Sequence, residues 1–553
     1  MSNGSKKNNF LVQGSILAVA SIVSRIIGLV YRVAVTNILG DVGNDYYSCA
    51  FSVYSIMLTI SSYSLPLAVS KLVSARMVMR ENKNAVKILK GALIFGLVSG
   101  AIVALVCFFG ADFITANLMN TPMSTIALRV LAPTLIIVAI MGVLRGFFQG
   151  LGTMIPTATS QIIEQIVNAC GSIVFAITLS QYGFEIGSAL NDAENYKAAY
   201  GAAGSTLGTS VGAAVGLLFL LFILFAYRTR LRRGIRRDLT PDNETESYSE
   251  IFKVLALTII PVLLSTTVYQ LSDFLDQMLY KKTMALLALP AQEASVNWGI
   301  YSGRCLILIS IPTTIANAMS ASVIPSLTAA ITAKDHGEVK KRINSAIRFI
   351  MVVSFPCAVG MGVLASPILQ LLYHDSRSLP AELVMIASVS IVFYTLSTLT
   401  NGILQGVNRM MTPVKNAIIA LVLHVVVLVG GMFFFDLNIY SVVVSNIAFP
   451  LIVAVLNGMA IKTYLKYKQE IKKTFIIPAI SSVVMGIVVY VVYMLLMSAS
   501  HSNILATLVA ILIGAVVYFV VLLLMKGLSK EEILRFPKGH VLYKIAKSLH
   551  LIQ

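Results

Sequence analysis

The first apolar block of the sequence, residues 11–39, contains two arginines, a serine and a glycine that share one helical face. Ser21, Arg25, Gly28 and Arg32 follow one another at intervals of four, three and four residues. Arg25 lies about 14 residues from either end of the block, near the midplane of a bilayer. An arginine there costs at least about 2.5 kcal/mol unless it contacts water or a partner. Guanidinium groups bind phosphate bidentately and stay charged, so this face predicts a binding surface for an anionic, phosphate-bearing substrate.

Two of these arginines have a second interpretation, and three further charged residues lie in later apolar blocks. Arg25 could form an internal salt bridge, and Arg32 could extend its charge to the nearby interface. Arg304, about two turns inside the eighth block, could pair with acidic side chains of the seventh block. Asp273 and Asp276, in the seventh block, predict a cation-coupling site, with pairing to Arg304 or a solvated helix end as alternatives.

The elements that must position these residues are membrane-spanning helices. The chain of 553 residues is 57% hydrophobic and 12% charged, with a mean hydropathy of +0.84. Soluble chains carry about 25% charged residues, and the apolar blocks here run past the length that crosses about 30 Å of hydrocarbon. Because the blocks are continuous and do not alternate in polarity, a soluble enzyme and an outer-membrane barrel are both excluded. The composition predicts an all-α polytopic membrane protein with about 14 transmembrane helices.

The predicted spans alternate with basic loops in a way that orients the chain. Lys and Arg number 42 against 24 Asp and Glu, and their clusters fall in every second loop. This pattern predicts a multi-pass protein of the cell membrane with both termini in the cytoplasm. The excess positive charge is then expected to meet anionic lipid headgroups and not nucleic acid. The spans themselves are predicted near 11–39, 47–74, 88–115, 124–149, 156–181, 202–227, 251–282, 298–331, 343–373, 381–407, 412–435, 439–465, 475–498 and 503–526.

Other residues of the apolar blocks are expected to pack helices together and not to bind substrate. Gly204 and Gly208 belong to a run of small residues at four-residue spacing, which predicts a close helix–helix seam. His424 stands alone in its block and is expected to be a packing residue with a satisfied ring. The five cysteines lack CxxC spacing, so neither a disulfide framework nor a metal site is expected, and no cofactor.

The sequence contains an internal repeat. LRGFFQGLGTMIP at 144–156 reappears as TNGILQGVNRMMTP at 400–413, an offset of about 256 residues that contains an even number of predicted spans. An even number gives both copies the same orientation, so we expect a parallel repeat. The predicted divisions are a first lobe at 1–240 with helices 1 to 6, a second lobe at 241–470 with helices 7 to 12, and helices 13 and 14 with the tail at 471–553. Two related lobes are typical of a transporter that works by alternating access.

Three motifs resemble those of a known family. SRIIGLVY at 24–31, LPLAVSK at 65–71 and GxxQG at 146–150 are similar to the MurJ-type lipid II flippases and the related stage V sporulation protein B group. Both belong to the multidrug/oligosaccharidyl-lipid/polysaccharide (MOP) exporter superfamily, and the resemblance extends over nearly the whole chain.

The resemblance implies fourteen helices around a V-shaped central cavity, with a lipid-facing groove at the last two. It implies transport of lipid II, an undecaprenyl-pyrophosphate-linked disaccharide-pentapeptide, from the inner to the outer leaflet for peptidoglycan assembly. It also implies coupling to Na⁺, H⁺ or the membrane potential. Arg25 matches an arginine of helix 1 that is thought to hold the pyrophosphate, and Arg304 matches a helix 8 arginine by location only.

Four functions therefore remain open. The first is a lipid II flippase, and the second an exporter of another polyprenyl-linked oligosaccharide, such as a capsule, teichoic or spore-cortex precursor. A cation-coupled drug antiporter is disfavoured by Arg25. A polytopic glycosyltransferase is favoured by Asp41 and Asp45 in the expected first outer loop and disfavoured by the lack of a large outer domain. We expect a transporter and not an enzyme. The protein is expected to be a monomer, and its expected partners are an anionic lipid-linked saccharide and membrane lipids.

Overall fold

The computed structural model describes residues 3–236, 238, 246–314, 335–407 and 409–528, with isolated positions at 327, 330, 331, 540 and 544. This part of the chain is helical and contains no strand. Clustering of the backbone divides the chain into two compact units, Met1–Gly303 and Arg304–Gln553. The predicted all-α fold class is confirmed.

The described residues of the first unit form nine α-helices, with short π- or 3-10-helical segments between some of them. These are α1 (Asn3–Leu58), α2 (Leu65–Val78), α3 (Asn82–Phe109), α4 (Thr125–Leu131), α5 (Thr134–Gly150), α6 (Ile155–Ala189), α7 (Ala193–Arg236), α8 (Tyr248–Leu286) and α9 (Ala291–Ile300).

The second unit begins with a π-helical turn that is followed by helical residues 306–314. The later helices of its described part are α10 (His336–Val363), α11 (Ala365–Tyr373), α12 (Ser378–Ala387), α13 (Ser390–Gly406), α14 (Met411–Phe435), α15 (Ile439–Leu465), α16 (Ile477–Ser500) and α17 (Asn503–Leu524).

Eleven helices of the described residues are long and apolar enough to cross a membrane, which confirms a multi-pass membrane protein. The first of them, Val19–Val78, contains the second predicted span and most of the first. These are joined at Gly40, whose φ of 66° and ψ of −174° are accessible almost only to glycine. The predicted span at 298–331 lies partly outside the described residues, so the count of fourteen stays a prediction.

The prediction of a loop over residues 40–45 is therefore wrong, because Gly40 alone departs from helical geometry within α1. Asn44 explains how so short a break is stable. Its side-chain amide donates to the carbonyl oxygens of Thr36 at 2.9 Å and of Gly40 at 2.6 Å. Two carbonyl groups at the end of the first half of α1 are thereby satisfied without further loop residues.

Glycines hold α6 against α7 at a very short distance. A Cβ atom built on Gly204 would lie 2.1 Å from the carbonyl oxygen of Phe175, and one on Gly208 would lie 2.2 Å from the backbone nitrogen of Ser172. Side chains larger than hydrogen cannot occupy these positions without moving a backbone. The predicted packing role of these glycines is confirmed.

The internal repeat recurs in the helix boundaries. α5 and α13 each have 17 residues and begin at Thr134 and Ser390, which are 256 positions apart. α3 and α10 each have 28 residues and begin at Asn82 and His336, 254 positions apart. The duplicated sequence thus gives helices of equal length in the same order in both units.

The boundary between the two units lies at Gly303, beyond the predicted end of the first lobe at residue 240. The reason is that α8 and α9 bond to α1. Gln277 of α8 donates to Asp45, and the indole of Trp298 in α9 donates to Ser48 at 3.0 Å. The predicted three-part division at residues 240 and 470 stays a prediction based on the repeat.

Buried polar side chains of the second unit are largely bonded to backbone. His424 lies with its Nδ1 2.8 Å from the carbonyl oxygen of Ser445 and its ring edge against Phe449. This confirms that it is a packing residue. Tyr518 of α17 donates to the carbonyl oxygen of Val352 in α10 at 2.7 Å, which attaches the last helix to the core of this unit.

Candidate functional site

Arg25 is an exposed charge on a membrane helix. Its side chain forms no ion pair among the described residues. The exposed apolar side chains of the same helix, such as Val19, Ile26 and Val30, form a separate stripe roughly 100° away at 3.6 residues per turn. Arg25 therefore lies outside the strip of α1 that is suited to lipid, and it is available to an anion.

Ser21 and Gly28 lie on the side of α1 that faces α6. The Ser21 hydroxyl donates to the side-chain amide oxygen of Gln161 at 3.4 Å, and a Cβ on Gly28 would lie 3.1 Å from the Gln165 side-chain nitrogen. One turn further on, Asn168 donates to the Tyr31 hydroxyl at 3.1 Å. These contacts hold the rotation of α1 about its own axis and so determine where Arg25 points. A direct contact of Ser21 or Gly28 with substrate stays a prediction.

Arg32 turns inward. Its guanidinium carbon lies 3.8 Å from the centroid of the Tyr47 ring, a cation–π contact within α1 itself. Its Nη1 is buried and has no hydrogen-bond partner among the described residues. Extension of Arg32 to the interface stays an alternative prediction, and its buried Nη1 is a donor for a ligand or water.

Arg145 and Glu164 form an ion pair that the sequence analysis did not identify. Arg145 in α5 places Nη2 2.6 Å from a Glu164 oxygen in α6, and its Nε donates to the Ser160 hydroxyl at 3.0 Å. Their separation of 19 positions has no helical periodicity, so only the packing of α5 on α6 reveals the pair. Glu164 is thereby neutralised.

A second and fully buried pair joins α1 to α8. Lys281 Nζ lies 2.7 Å from Asp45 Oδ2, and the two side chains are 3% and 0% exposed. Gln277 donates to the other Asp45 oxygen at 2.9 Å, and the Lys281 ammonium donates to the Ser295 hydroxyl at 2.8 Å. The expectation that Asp45 lies in an outer loop is wrong, because helix α1 continues through it and Lys281 compensates its charge. A glycosyltransferase would lose one of its two candidate acids to this structural role.

Asp273 and Asp276 lie on α8, the helix that also carries Lys281. Asp273 is exposed, whereas Asp276 is only 2% exposed. Among the described residues no three His, Cys, Asp or Glu side chains are close enough to hold a metal ion together. A cation at Asp276 would therefore need carbonyl or amide oxygens as further ligands. Cation coupling at these two residues stays a prediction.

Arg304 lies in the second unit, at its first residue. Its Nε is 3.1 Å from Asp375 Oδ2, and both side chains are less than 10% exposed. Arg377 binds the same carboxylate through Nε at 3.0 Å and Nη2 at 2.7 Å. Burial opposes ionisation of Asp375, but the hydrogen bonds from Arg377 and the charges of both arginines outweigh it and lower the pKa of Asp375. Arg304 therefore has a carboxylate partner, and its contact with substrate stays a prediction.

Comparison with known proteins agrees with this architecture. The family described as polysaccharide biosynthesis protein matches residues 10–330, and the MatE family matches residues 304–429. The chain is 26% identical over 431 residues to lipid II flippase MurJ of Bacillus subtilis (strain 168), an alignment that covers 75% of this chain and 76% of that protein. It is 24% identical over 414 residues to stage V sporulation protein B of the same organism, with 75% and 76% covered. A solved structure of lipid II flippase MurJ in an inward closed conformation has a TM-score of 0.61 at 15% identity and covers 91% of this chain and 97% of that one.

Proposed function

Because this chain belongs to the polysaccharide biosynthesis protein family, within the MOP exporter superfamily, we propose that it is a flippase for a lipid-linked cell-wall precursor. The cargo we propose is lipid II, the polyprenyl-pyrophosphate-linked peptidoglycan precursor, moved from the inner to the outer leaflet of the cell membrane. The protein acts as a monomer in this proposal. The similarity to a protein named lipid II flippase MurJ, in sequence and in fold, supports transport without chemical conversion of the substrate.

One observation carries the proposal: α1 carries two arginines, Arg25 and Arg32, that have no carboxylate partner among the described residues. Asp45 and Glu164 are each bonded to a basic side chain. Arg25 has no ion-pair partner among the described residues, and Arg32 keeps a buried donor without one. Such a surface favours an anion over a cation, and the guanidinium fork matches a pyrophosphate.

In the proposed mechanism Arg25 first binds the pyrophosphate and Arg32 contributes its buried Nη1. The contacts of α1 with α6 fix the helix that carries both arginines, and Tyr47 holds the Arg32 guanidinium, so little backbone freedom is lost when the anion binds. The polyprenyl chain stays in lipid along α16 and α17. Alternating access then exposes the headgroup to the outer side.

A second candidate is the transport of another polyprenyl-linked oligosaccharide, such as a capsule, teichoic or spore-cortex precursor. The similarity to stage V sporulation protein B is nearly equal to that to lipid II flippase MurJ, at 24% and 26% identity. Because the shared pyrophosphate and polyprenyl groups would contact the same arginines, the two candidates differ only in the saccharide. A drug-cation antiporter has the support of the MatE match at 304–429, but the open arginines oppose a cationic cargo.

The test measures lipid II in the inner leaflet after depletion of the protein in its own host. We expect lipid II to accumulate, wild type to reverse this, and Arg25→Ala to fail. Arg25→Lys keeps the charge without the fork, so a partial rescue would separate charge from bidentate geometry. Arg129→Ala is the matched control, since Arg129 is an exposed arginine paired with Asp112 outside this surface.

Each result has a definite meaning. Rescue by Arg25→Ala equal to that by wild type would contradict the role of Arg25 in pyrophosphate binding. Accumulation of a different polyprenyl-linked saccharide, with lipid II unchanged, would establish the second candidate. Accumulation of neither class of lipid would refute both.

A further inference from the structure

A cavity lies in the second unit, and none of the arginines discussed above lines it. It has a volume of about 210 Å³ and is enclosed by α10, α13, α15 and the residues that lead into α16. The apolar lining side chains are Ile347, Leu396, Ala454, Val455, Ile461 and Phe475. Lys462, Tyr467, Gln469 and Thr400 form its polar part. The cavity therefore has the amphipathic lining that suits a lipid with a polar headgroup.

The charge at the polar part is positive and uncompensated. Lys462 is exposed in the last turn of α15 and forms no ion pair among the described residues. The nearby Glu470 is not available to it, because Glu470 binds the Arg348 guanidinium and accepts a hydrogen bond from Asn344 at 3.2 Å. Tyr467 donates its hydroxyl to Asn344 at 3.2 Å. Lys462 is thus the charged group of this cavity that remains open to a ligand.

The other polar side chains of the lining, Thr400 and Gln469, form hydrogen bonds within the protein, and Gln469 donates to the carbonyl oxygen of Glu470 at 3.1 Å. Thr400 accepts a hydrogen bond from the Asn457 amide at 3.3 Å. Asn457 also donates to Asn401 at 2.7 Å and accepts from Asn416 at 2.8 Å. Because these side chains bond to one another, few hydrogen-bonding groups remain for a sugar or a peptide. The cavity can therefore bind a ligand through one cation, Lys462, and through its apolar wall.

The size and opening of the cavity suit a single hydrocarbon chain. At about 210 Å³ it is smaller than the roughly 300–1,000 Å³ of sites for drug-sized molecules. Gly458 forms part of the wall and is exposed, and a Cβ built there would meet no atom within 4 Å. A chain can therefore enter past Gly458 from outside the helices.

The chain around the cavity is strongly basic. Four further lysines follow Lys462 within the segment that connects α15 to α16: Lys466, Lys468, Lys472 and Lys473. Basic segments next to membrane helices attract anionic lipids, and basic pockets between such helices bind their headgroups. The segment is also one of those that the charge pattern predicts to be cytoplasmic.

We propose that this cavity binds one anionic glycerophospholipid of the surrounding leaflet, with its phosphate at Lys462 and one acyl chain against Leu396, Val455 and Phe475. The bound lipid would fill the space between α15 and the segment that leads into α16. The proposal is independent of the transported cargo, because none of these residues belongs to the arginine surface of the first unit.

The experiment uses the purified full chain and phosphatidylglycerol that carries a photoreactive diazirine on one acyl chain. Irradiation followed by peptide mass spectrometry locates the labelled residues. We expect labelling of the cavity wall, and labelling about fivefold weaker with phosphatidylcholine of the same chains, which is about 1 kcal/mol for one lysine near the surface. Lys462→Gln should remove most of this preference at the cavity wall, whereas Lys468→Gln, an exposed lysine of the same basic segment that does not line the cavity, should remove little of it.

A second pair of variants tests the hydrocarbon part. Gly458→Phe projects into open space and should suppress labelling of the cavity wall, while Gly430→Phe on α14 serves as the matched control. Equal labelling of wild type and Gly458→Phe, or no preference between the two lipids, would overturn the proposal. Displacement of the label by an equal amount of undecaprenyl phosphate, but not by unlabelled phosphatidylglycerol, would assign the cavity to the polyprenyl carrier and also refute it. If Gly458→Phe fails to fold, the Lys462→Gln comparison still decides.

Discussion

The buried pair of Asp45 and Lys281 allows a quantitative prediction. Both side chains are almost fully removed from solvent, and their charged atoms are 2.7 Å apart. Lys281→Met removes one charge and leaves the other buried. Such a change typically lowers the free energy of unfolding by about 3–5 kcal/mol. We expect a loss of thermal stability of about 6–10 °C, taking about 2 °C for each kcal/mol in a unit of this size.

The double variant Asp45→Asn with Lys281→Met should recover most of this loss. Replacing both members of a buried pair by neutral groups is often close to neutral, because the desolvation cost of two charges disappears with their attraction. The amide introduced by Asp45→Asn keeps an oxygen that can accept the hydrogen bond from Gln277. The Ser295 hydroxyl loses its bond to the ammonium, so a residual cost of about 1 kcal/mol remains.

The assay is thermal unfolding of the detergent-purified protein, followed for wild type, both single variants and the double variant. The control pair is Arg129 with Asp112, which is also in direct contact but has side chains 43% and 66% exposed. Arg129→Met should cost no more than about 1 kcal/mol. The reasoning from burial is refuted if Lys281→Met loses as little stability as this control. It is also refuted if the double variant loses as much stability as the two single variants added together.

Two further predictions concern packing and pH. Gly208→Val should destabilise the protein by about 1–3 kcal/mol or more, because its Cβ would lie 2.2 Å from the backbone of Ser172, and thermal unfolding measures this; an unchanged midpoint would contradict the tight α6–α7 seam. Asp375→Asn should cost about 3 kcal/mol at neutral pH, since it leaves the buried Arg304 without its carboxylate. The folded-state pKa of Asp375 is lowered from its ordinary value of 3.8. The free energy of unfolding of wild type should therefore exceed that of Asp375→Asn by its full amount above pH 3.8, and this difference should decrease as the pH falls through the lowered pKa. A difference in free energy of unfolding that stays constant from neutral pH to below 3 would contradict this linkage.

Sequence reasoning succeeded where the signal is local. Apolar blocks and charge composition predicted a multi-pass helical protein, and the four-residue spacing of glycines predicted the seam that Gly204 and Gly208 form. The duplicated motif predicted helices that recur with the same lengths, as α5 and α13 do. Hydropathy and periodicity depend on neighbouring residues of one helix, so the sequence states them directly.

Sequence reasoning was incomplete where the signal depends on partners. Asp45 was expected in a loop, yet it pairs with a lysine 236 positions later. The sequence did not identify Asp375 as the carboxylate partner of Arg304, because Asp375 has no distinguishing spacing. The contact of Arg304 with substrate stays a prediction. The break at Gly40 was expected to be a loop of several residues, because a sequence does not show that Asn44 can satisfy the freed carbonyl groups.

The sequence by itself determined that this protein is a bundle of membrane helices with an internal repeat and an arginine near the middle of its first span. Only the tertiary structure decided which charges are neutralised and which remain open. The physical reason is that the cost of a charge in a membrane depends on its distance to a counter-charge, and that distance results from the packing of helices far apart in the chain. Asp45, Glu164 and Arg304 have such partners, whereas Arg25 has none among the described residues.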